Sequence, residues 1–381
     1  MPLFIIVFLS IYSLANYYVL NRSLQALYFL PTYAKVGVWV FFILGTFSYI
    51  ISKTLLSKMN NVFYDIILWF GSIWFAVVLY SFLLCLVIDL LRLLRLAIMT
   101  VNKSTYIPTL PGWVLFVIGA VLVVGYVTYG AYNFKNIKVK ELAFELKNPA
   151  KEGKDLRILF FSDSHLTPIN NGTLMKKVLG IIDNYKPDLI LLGGDIIDDS
   201  PERLDRAKIG ERLSQMKAPL GVYTCPGNHE YISGYTPAAD YLQNHGVTIL
   251  RDSLVNIGDY FTVIGRDDYS GFHVWGEKRK SLQTLMEQTD KALPVILLDH
   301  QPHHLEEAES EGVDIQLSGH THNGQMFPAN LITEKVYEKS WGLLKKGKTN
   351  FYVSSGIGGW GPPVRTASDA EAIIINIHFT K

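Results

Sequence analysis

Residues Leu3 to Leu20, Val36 to Leu56, Ile66 to Leu91 and Trp113 to Ala131 are long apolar stretches, each close to the roughly 20 helical residues that a bilayer crossing needs. Buried helices of a soluble domain would carry polar faces at the helical period, and these stretches lack them. Four transmembrane helices are therefore expected. The second is the least continuous, because its uninterrupted part stops near Ile51, before Lys53. A cleaved signal peptide is the other reading of the first stretch. It opens Met-Pro without a basic n-region, and Tyr17 and Tyr18 look like an interfacial belt rather than a cleavage site.

The remaining composition excludes more than it assigns. Only 18% of residues are charged and the formal net charge is +1, so no general attraction to nucleic acid follows. The partner this chain implies is the lipid bilayer. Asp89, Arg92 and Arg95 lie at helical spacing at the end of the third stretch, which reads as an interfacial anchor with an internal i,i+3 ion pair; a lipid-phosphate contact is the sharper alternative.

Orientation is nearly balanced. With the N-terminus outside, the inner loops hold Arg22, Lys35, Arg92, Arg95 and Lys103, against Lys53, Lys58, Lys135, Lys138 and Lys140 opposite. No charge precedes the first helix while Arg22 follows it, and lysines leading into a long domain count for less than those of short loops. Both favour a multi-pass protein whose C-terminal domain is extracytoplasmic.

The chain thus divides into a transmembrane region over 1–133, a linker over 134–155 and a folded domain over 156–381. Within the linker, Val139 to Leu146 alternates enough to be an edge strand, and Asn148 to Asp155 reads as a polar turn. Beyond it, Gly172 to Tyr185, Glu202 to Met216, Ala238 to Asn244 and Ser281 to Asp290 read as helices. Thr248 to Leu250, Leu254 to Ile257, Phe261 to Ile264 and Ala372 to Phe379 read as strands, giving an α/β domain.

Five further apolar runs each end in residues suited to binding a metal. Arg157 to Phe161 leads to Asp163-Ser164-His165, Leu189 to Leu192 to Gly194-Asp195 and Asp198, and Val222 to Thr224 to Gly227-Asn228-His229-Glu230. Val295 to Leu298 leads to Asp299-His300, and Val313 to Leu317 to Gly319-His320-Thr321-His322. Loops leaving the carboxyl ends of strands converge on one crevice in an open α/β sheet, which is where sites are built. Carboxylate, amide oxygen and imidazole together suit Mn, Fe or Zn better than Ca or Mg. Seven such ligands are too many for one tetrahedral ion and natural for two.

In this order, the motifs Asp-x-His, Gly-Asp-x-x-Asp, Gly-Asn-His-Glu, a lone His and Gly-His-x-His resemble the calcineurin-like metallophosphoesterase superfamily, over residues 156 to 379. The resemblance implies an αββα sandwich of two mixed sheets and a centre of two divalent ions. It places Asp163, His165 and His322 on one ion and Asn228, His300 and His320 on the other, with Asp195 bridging. His229 would lie just outside, contacting phosphoryl oxygens or protonating the leaving group. Ions about 4 Å apart would clamp the phosphoryl group and make hydroxide available near neutral pH. Asp198 and Glu230 read as supporting groups or caps rather than ligands.

The stretch Ser354 to Arg365, with the Gly-His-Thr-His-x-Gly-Gln run, is similar to a narrower branch, the YkuE-like and transmembrane metallophosphoesterases. The sequence departs from that branch at Asn323, where glycine is frequent. The plain reading of the stretch is a glycine-rich turn beside the ligands, with Arg365 in a structural ion pair. The sharper one makes Trp360 and Arg365 a substrate loop, Trp360 dipping into the membrane interface. Cys85 and Cys225 say nothing about redox compartment; His303 and His304 read as the start of a surface helix, and His245, His273 and His378 as structural.

The expected function is hydrolysis of a phosphoester or pyrophosphate, with a membrane lipid phosphate as substrate, because four helices exceed what an anchor requires. A tethered phosphodiesterase or nucleotide pyrophosphatase acting on soluble substrate, and a non-catalytic scaffold or sensor, are the rival readings.

Overall fold

The structure, a computed structural model, describes residues 2–101, 108–169, 171–276 and 278–381. Lys103, counted above for orientation, lies outside them. The chain forms two units, Met1–Gly130 and Ala131–Lys381.

Four helices build the first unit: α1 (Pro2–Ala26), α2 (Thr32–Lys53), α3 (Val62–Val101) and α4 (Gly112–Lys135). Among the described residues, three of these, α2, α3 and α4, are long and apolar enough to cross a membrane, not the four expected. α1 is not among the three; its second half carries Asn16, Arg22, Ser23 and Gln25. These polar groups serve packing. Asn16 Oδ1 accepts from Trp74 Nε1 at 2.9 Å and from Thr46 Oγ1 at 2.8 Å, tying α1 to α3 and α2. Small residues complete the contacts: a Cβ at Gly71 of α3 would collide with the backbone of Tyr49 in α2.

The second unit contains two six-stranded sheets. The first has the order β1-β12-β2-β3-β4-β5, with β1 (Lys138–Lys147), β2 (Asp155–Phe161), β3 (Leu189–Leu192), β4 (Val222–Thr224), β5 (Thr248–Ile249) and β12 (Glu371–Thr380). The second has the order β10-β11-β9-β8-β7-β6, with β6 (Ser253–Ile257), β7 (Phe261–Gly265), β8 (Val295–Leu298), β9 (Ile315–Ser318), β10 (Gly342–Lys346) and β11 (Thr349–Val353). Both are mixed, since β12 pairs antiparallel with β2 and parallel with β1, while β7 pairs antiparallel with β6 and parallel with β8.

Why the central strands are unbroken apolar runs follows from their two faces. Ile158 and Phe160 of β2 and Leu191 of β3 pack against Ile296 and Leu298 of β8 and Leu317 of β9, forming the core between the sheets. The alternate residues Leu159, Phe161, Ile190 and Leu192 face outward onto Leu174, Met175 and Val178 of helix α5 (Asn171–Tyr185). The other sheet is covered in the same way, Val295 and Leu297 packing on Leu282, Leu285 and Leu305. Helices outside and two sheets inside make the αββα sandwich.

Three local features depart from the sequence expectation. The segment assigned to a linker contains β1, which pairs with β12 along its whole length from Lys138 to Lys147, so the second unit begins well before residue 156. The helix expected over Glu202 to Met216 is two short ones, Pro201–Arg206 and Ile209–Leu213, separated at Lys208, which has φ 56°. The β10–β11 hairpin was not anticipated, because its edge strand β10 is half-exposed and carries Lys345 and Lys346 instead of an apolar run.

Candidate metal centre

Five strands of the two sheets, β2, β3, β4, β8 and β9, deliver their following loops to one place. Backbone bonds stitch the loops together: Asp163 N–H donates to Gly194 O at 3.0 Å, His165 N–H to Asp195 O at 3.0 Å, and Gly319 N–H to His300 O at 2.9 Å. Glycine is required where the loops touch. A Cβ on Gly227 would strike Asp195 Oδ1, and one on Gly319 would strike Asp163 Oδ2.

Two groups of ligand atoms result. Asp163, His165 and His322 form the first, with His165 Nε2 and His322 Nε2 3.1 Å apart and His322 Nε2 3.4 Å from Asp163 Oδ1. Asp195, His300 and His320 form the second. Asn228 Oδ1 joins it, 3.2 Å from His300 Nε2 and 2.8 Å from His320 Nδ1. Asp195 Oδ2 lies between the groups, 3.2 Å from His300 Nε2 and 3.7 Å from His165 Nε2. All seven residues expected as ligands are therefore gathered. Asn228, His229 and His320 are part-exposed while the rest are buried, so the cluster opens on their side.

The donor set fits divalent cations. His300 Nδ1 lies 2.6 Å from Gly193 O, so that nitrogen carries a hydrogen and Nε2 is turned towards Asp195 Oδ2 and Asn228 Oδ1. Burial opposes its charge, but the Asp195 carboxylate outweighs this and holds His300 well above its ordinary value. Burial, reinforced by the His300 charge, lowers His320 to about 3, and burial beside His165 and Arg365 holds His322 well below its ordinary value. Burial and the neighbouring Asp195 carboxylate push Asp163 up. Neutral imidazoles and crowded carboxylates are what a metal ion binds and relieves.

Backbone strain concentrates here. Among the described residues, eleven non-glycine residues have positive φ, and Asp163, His165, Asp195, His320 and His322 are five of them. Asn323 is another, with φ 45° and ψ 43°. That conformation explains how asparagine stands where glycine is frequent: it is the side chain best tolerated there.

His229 is held beside the cluster, its ring 4.4 Å from that of His165, with Nδ1 2.7 Å from Asp198 Oδ1. Burial opposes its charge, but the Asp195 and Asp198 carboxylates outweigh this and raise it to about 9. Asp198 also lies 3.6 Å from His165 Nδ1, so it orients both rings. Glu230 accepts from Asp195 N–H at 3.0 Å, Ile196 N–H at 2.6 Å and Gly227 N–H at 2.8 Å, locking two ligand loops together. The Gly193 carbonyl that sets the His300 tautomer was not anticipated; a strand running straight into Gly193-Gly194 is the signal that marks such close backbone approach.

Arg365 is not a surface residue. It is fully buried, and its N–H groups go to Gly358 O at 2.9 Å, Ser355 O at 2.6 Å, Asp369 O at 3.1 Å and Ser368 Oγ at 2.7 Å. Its partners are carbonyls and the Ser368 hydroxyl rather than the carboxylate of an ion pair, and a side chain so committed has no reach to substrate. Trp360 is 49% exposed on the same loop. Gln325 Nε2 fixes the backbone there by donating to Trp360 O at 3.1 Å and Pro362 O at 2.9 Å.

The sequence profile of calcineurin-like phosphoesterases matches residues 156–324, which contain all seven ligands and His229. An uncharacterized metallophosphoesterase of Aquifex aeolicus is 31% identical, over 66% of this chain and 97% of its own. One from Campylobacter jejuni is 27% identical over 100% of this chain and 99% of its own, helices included. A zebrafish (Danio rerio) transmembrane protein with a metallophosphoesterase domain is 29% identical over 61% of this chain and 56% of its own. The chain belongs to the calcineurin-like phosphoesterases and is a metal-dependent phosphoesterase, with side chains that could hold metal ions gathered in one cluster.

Proposed function

We propose that this protein is a membrane-bound phosphohydrolase that uses two divalent ions and acts on a lipid phosphate or pyrophosphate. The observation that carries the two-ion reading is the position of Asp195, whose Oδ2 is shared by two sets of ligands. Asp163, His165 and His322 would hold one ion and Asn228, His300 and His320 the other, with Mn, Fe or Zn as the ions this mixed donor set suits. Bound there, the ions supply charge neutralisation at the phosphoryl oxygens and a water acidified towards neutrality as nucleophile.

The protein groups do the rest. His229, part-exposed and oriented by Asp198, carries the proton that a departing alkoxide takes up. Asn228 and His320, on the open side, border the route by which the ester enters. Glu230 keeps the ligand loops in register.

The lipid reading rests on the helical unit, in which we take α1 as a fourth span beside the three apolar helices. Arg22, Lys35, Arg92 and Arg95 flank the same end of these helices, against Lys53 and Lys58 at the other, where Lys135, Lys138 and Lys140 lead into the long domain and count for less. This favours an extracytoplasmic catalytic unit, with exposed Trp360 as its contact with the interface.

Full-length protein in detergent with Mn, assayed for phosphate and headgroup release from extracted lipids and from small soluble phosphoesters, tests this reading. Turnover of a lipid that disappears in Asp195→Asn is expected. Turnover of soluble esters alone would replace it with a tethered phosphodiesterase, and no turnover of either with a scaffold.

A further inference from the structure

Within the helical unit lies a cavity of about 320 Å³ bounded by α1, α3 and α4, with Phe41 and Phe42 of α2 completing its wall, a volume at the small end of the range for ligand pockets. Its lining changes character along the helix axes. Arg22 and Gln25 of α1, Asp89 and Arg92 of α3, and Gly112 at the start of α4 form one end. Trp74 of α3 and Val123 and Val124 of α4 form the other. Twelve residues separate Gly112 from Val124, so at 1.5 Å per residue the cavity is about 18 Å deep along α4. It has a charged mouth and an apolar floor.

The charges at the mouth are unequal. Both oxygens of Asp89 are used inside the bundle: Oδ2 accepts from Tyr18 and Arg22, and Oδ1 from Arg92 Nη1 at 3.0 Å. One carboxylate thus serves two guanidinium groups, leaving an excess positive charge. Arg22 Nε is buried without an acceptor among the described residues. The exposed parts of the two guanidinium groups, rather than the buried Nε, are what an anionic ligand at the mouth would meet.

We propose that this cavity binds one anionic phospholipid, its phosphate on Arg22 and Arg92 and one acyl chain running past Gly119 towards Trp74. Paired guanidinium groups at the level of lipid headgroups match phosphate in charge and fork geometry. The apolar depth accepts a single chain, which a free phosphate ion or nucleotide would leave empty. The site belongs to the helical unit alone and stands whatever the catalytic centre hydrolyses.

The test is native mass spectrometry of the full-length protein after incubation with equal amounts of dioleoyl phosphatidylglycerol, dioleoyl phosphatidylcholine and oleate. One phosphatidylglycerol per chain should be retained, at least about tenfold above phosphatidylcholine, whose phosphate is the same but whose choline cation is repelled by the excess positive charge of Arg22 and Arg92. Arg22→Gln should bring retention down to the phosphatidylcholine level. Arg92→Gln, which leaves the Arg22–Asp89 pair intact, should do the same if the Arg22 variant fails to fold. Gly119→Leu, whose Cβ would already lie 3.0 Å from Leu84, should displace every lipid. Equal retention of the two phospholipids, or a preference that survives both arginine substitutions, would overturn the site. Oleate held as tightly as phosphatidylglycerol would overturn the assignment to phosphate.

Discussion

At the scale of single residues, the centre is built by backbone conformations that side chains other than glycine avoid. Asp163, His165, Asp195, His320 and His322 all sit at positive φ, and each such residue costs on the order of 1–3 kcal/mol. That strain turns side chains from separate loops towards one another, so the positions tolerate little displacement. Gly227 tests this most directly, since an added methyl meets Asp195 Oδ1, and the next loop residues supply Asn228 and His229. Gly227→Ala should displace the shared carboxylate by a fraction of an ångström to 1 Å and lower kcat by roughly 100-fold. Metal analysis should then find less than the wild-type content per chain while the circular dichroism spectrum stays unchanged. Unaltered kcat and metal content would mean that Asp195 is not held where its neighbours require it.

At the scale of elements, what the sequence displayed was the strand ends. Runs such as Leu189–Leu192 and Val295–Leu298 are apolar at every position because both faces are buried, and the ligands stand immediately after them. The β10–β11 hairpin carried no such mark, since Gly342–Lys346 alternates half-buried and exposed residues at the sheet edge. Arg365 was opaque for the opposite reason: a guanidinium is ordinarily solvated, and only the fold brings the carbonyls of Ser355, Gly358 and Asp369 around it. The break at Lys208 was equally hidden, because Glu202 to Met216 keeps a helical period through it. There the left-handed backbone costs lysine about 1–2 kcal/mol that glycine avoids. Lys208→Gly should therefore stabilise the catalytic unit, by about 0.5–1 kcal/mol after the added freedom of the unfolded chain is subtracted. Thermal unfolding of the full-length protein measures this; a lower midpoint would show that Lys208 makes a compensating contact.

At the scale of the whole molecule, two units with separate cores are expected to respond differently to loss of metal. The helical unit holds itself by contacts such as Asn16 with Trp74 and Thr46, none of which involves the ligand cluster. In the catalytic unit, loops from both sheets meet on that cluster, and without cations Asp163 is left buried beside Asp195 and near His320 and His322, whose burial holds them uncharged. A ligand at 100 times its dissociation constant stabilises the folded form by about 2.7 kcal/mol. For a unit of this size each kcal/mol moves the midpoint by about 2–4 °C. Chelation should accordingly lower the catalytic unit's transition by about 5–10 °C, leave that of the helical unit in place, and be reversed by Mn. Calorimetry in detergent separates the two transitions if they unfold independently. A shift of both would show that the ions' stabilisation reaches the helices, and a shift of neither would mean that the strained ligand loops are held without metal, against the geometry of Asp195 between its two sets of partners.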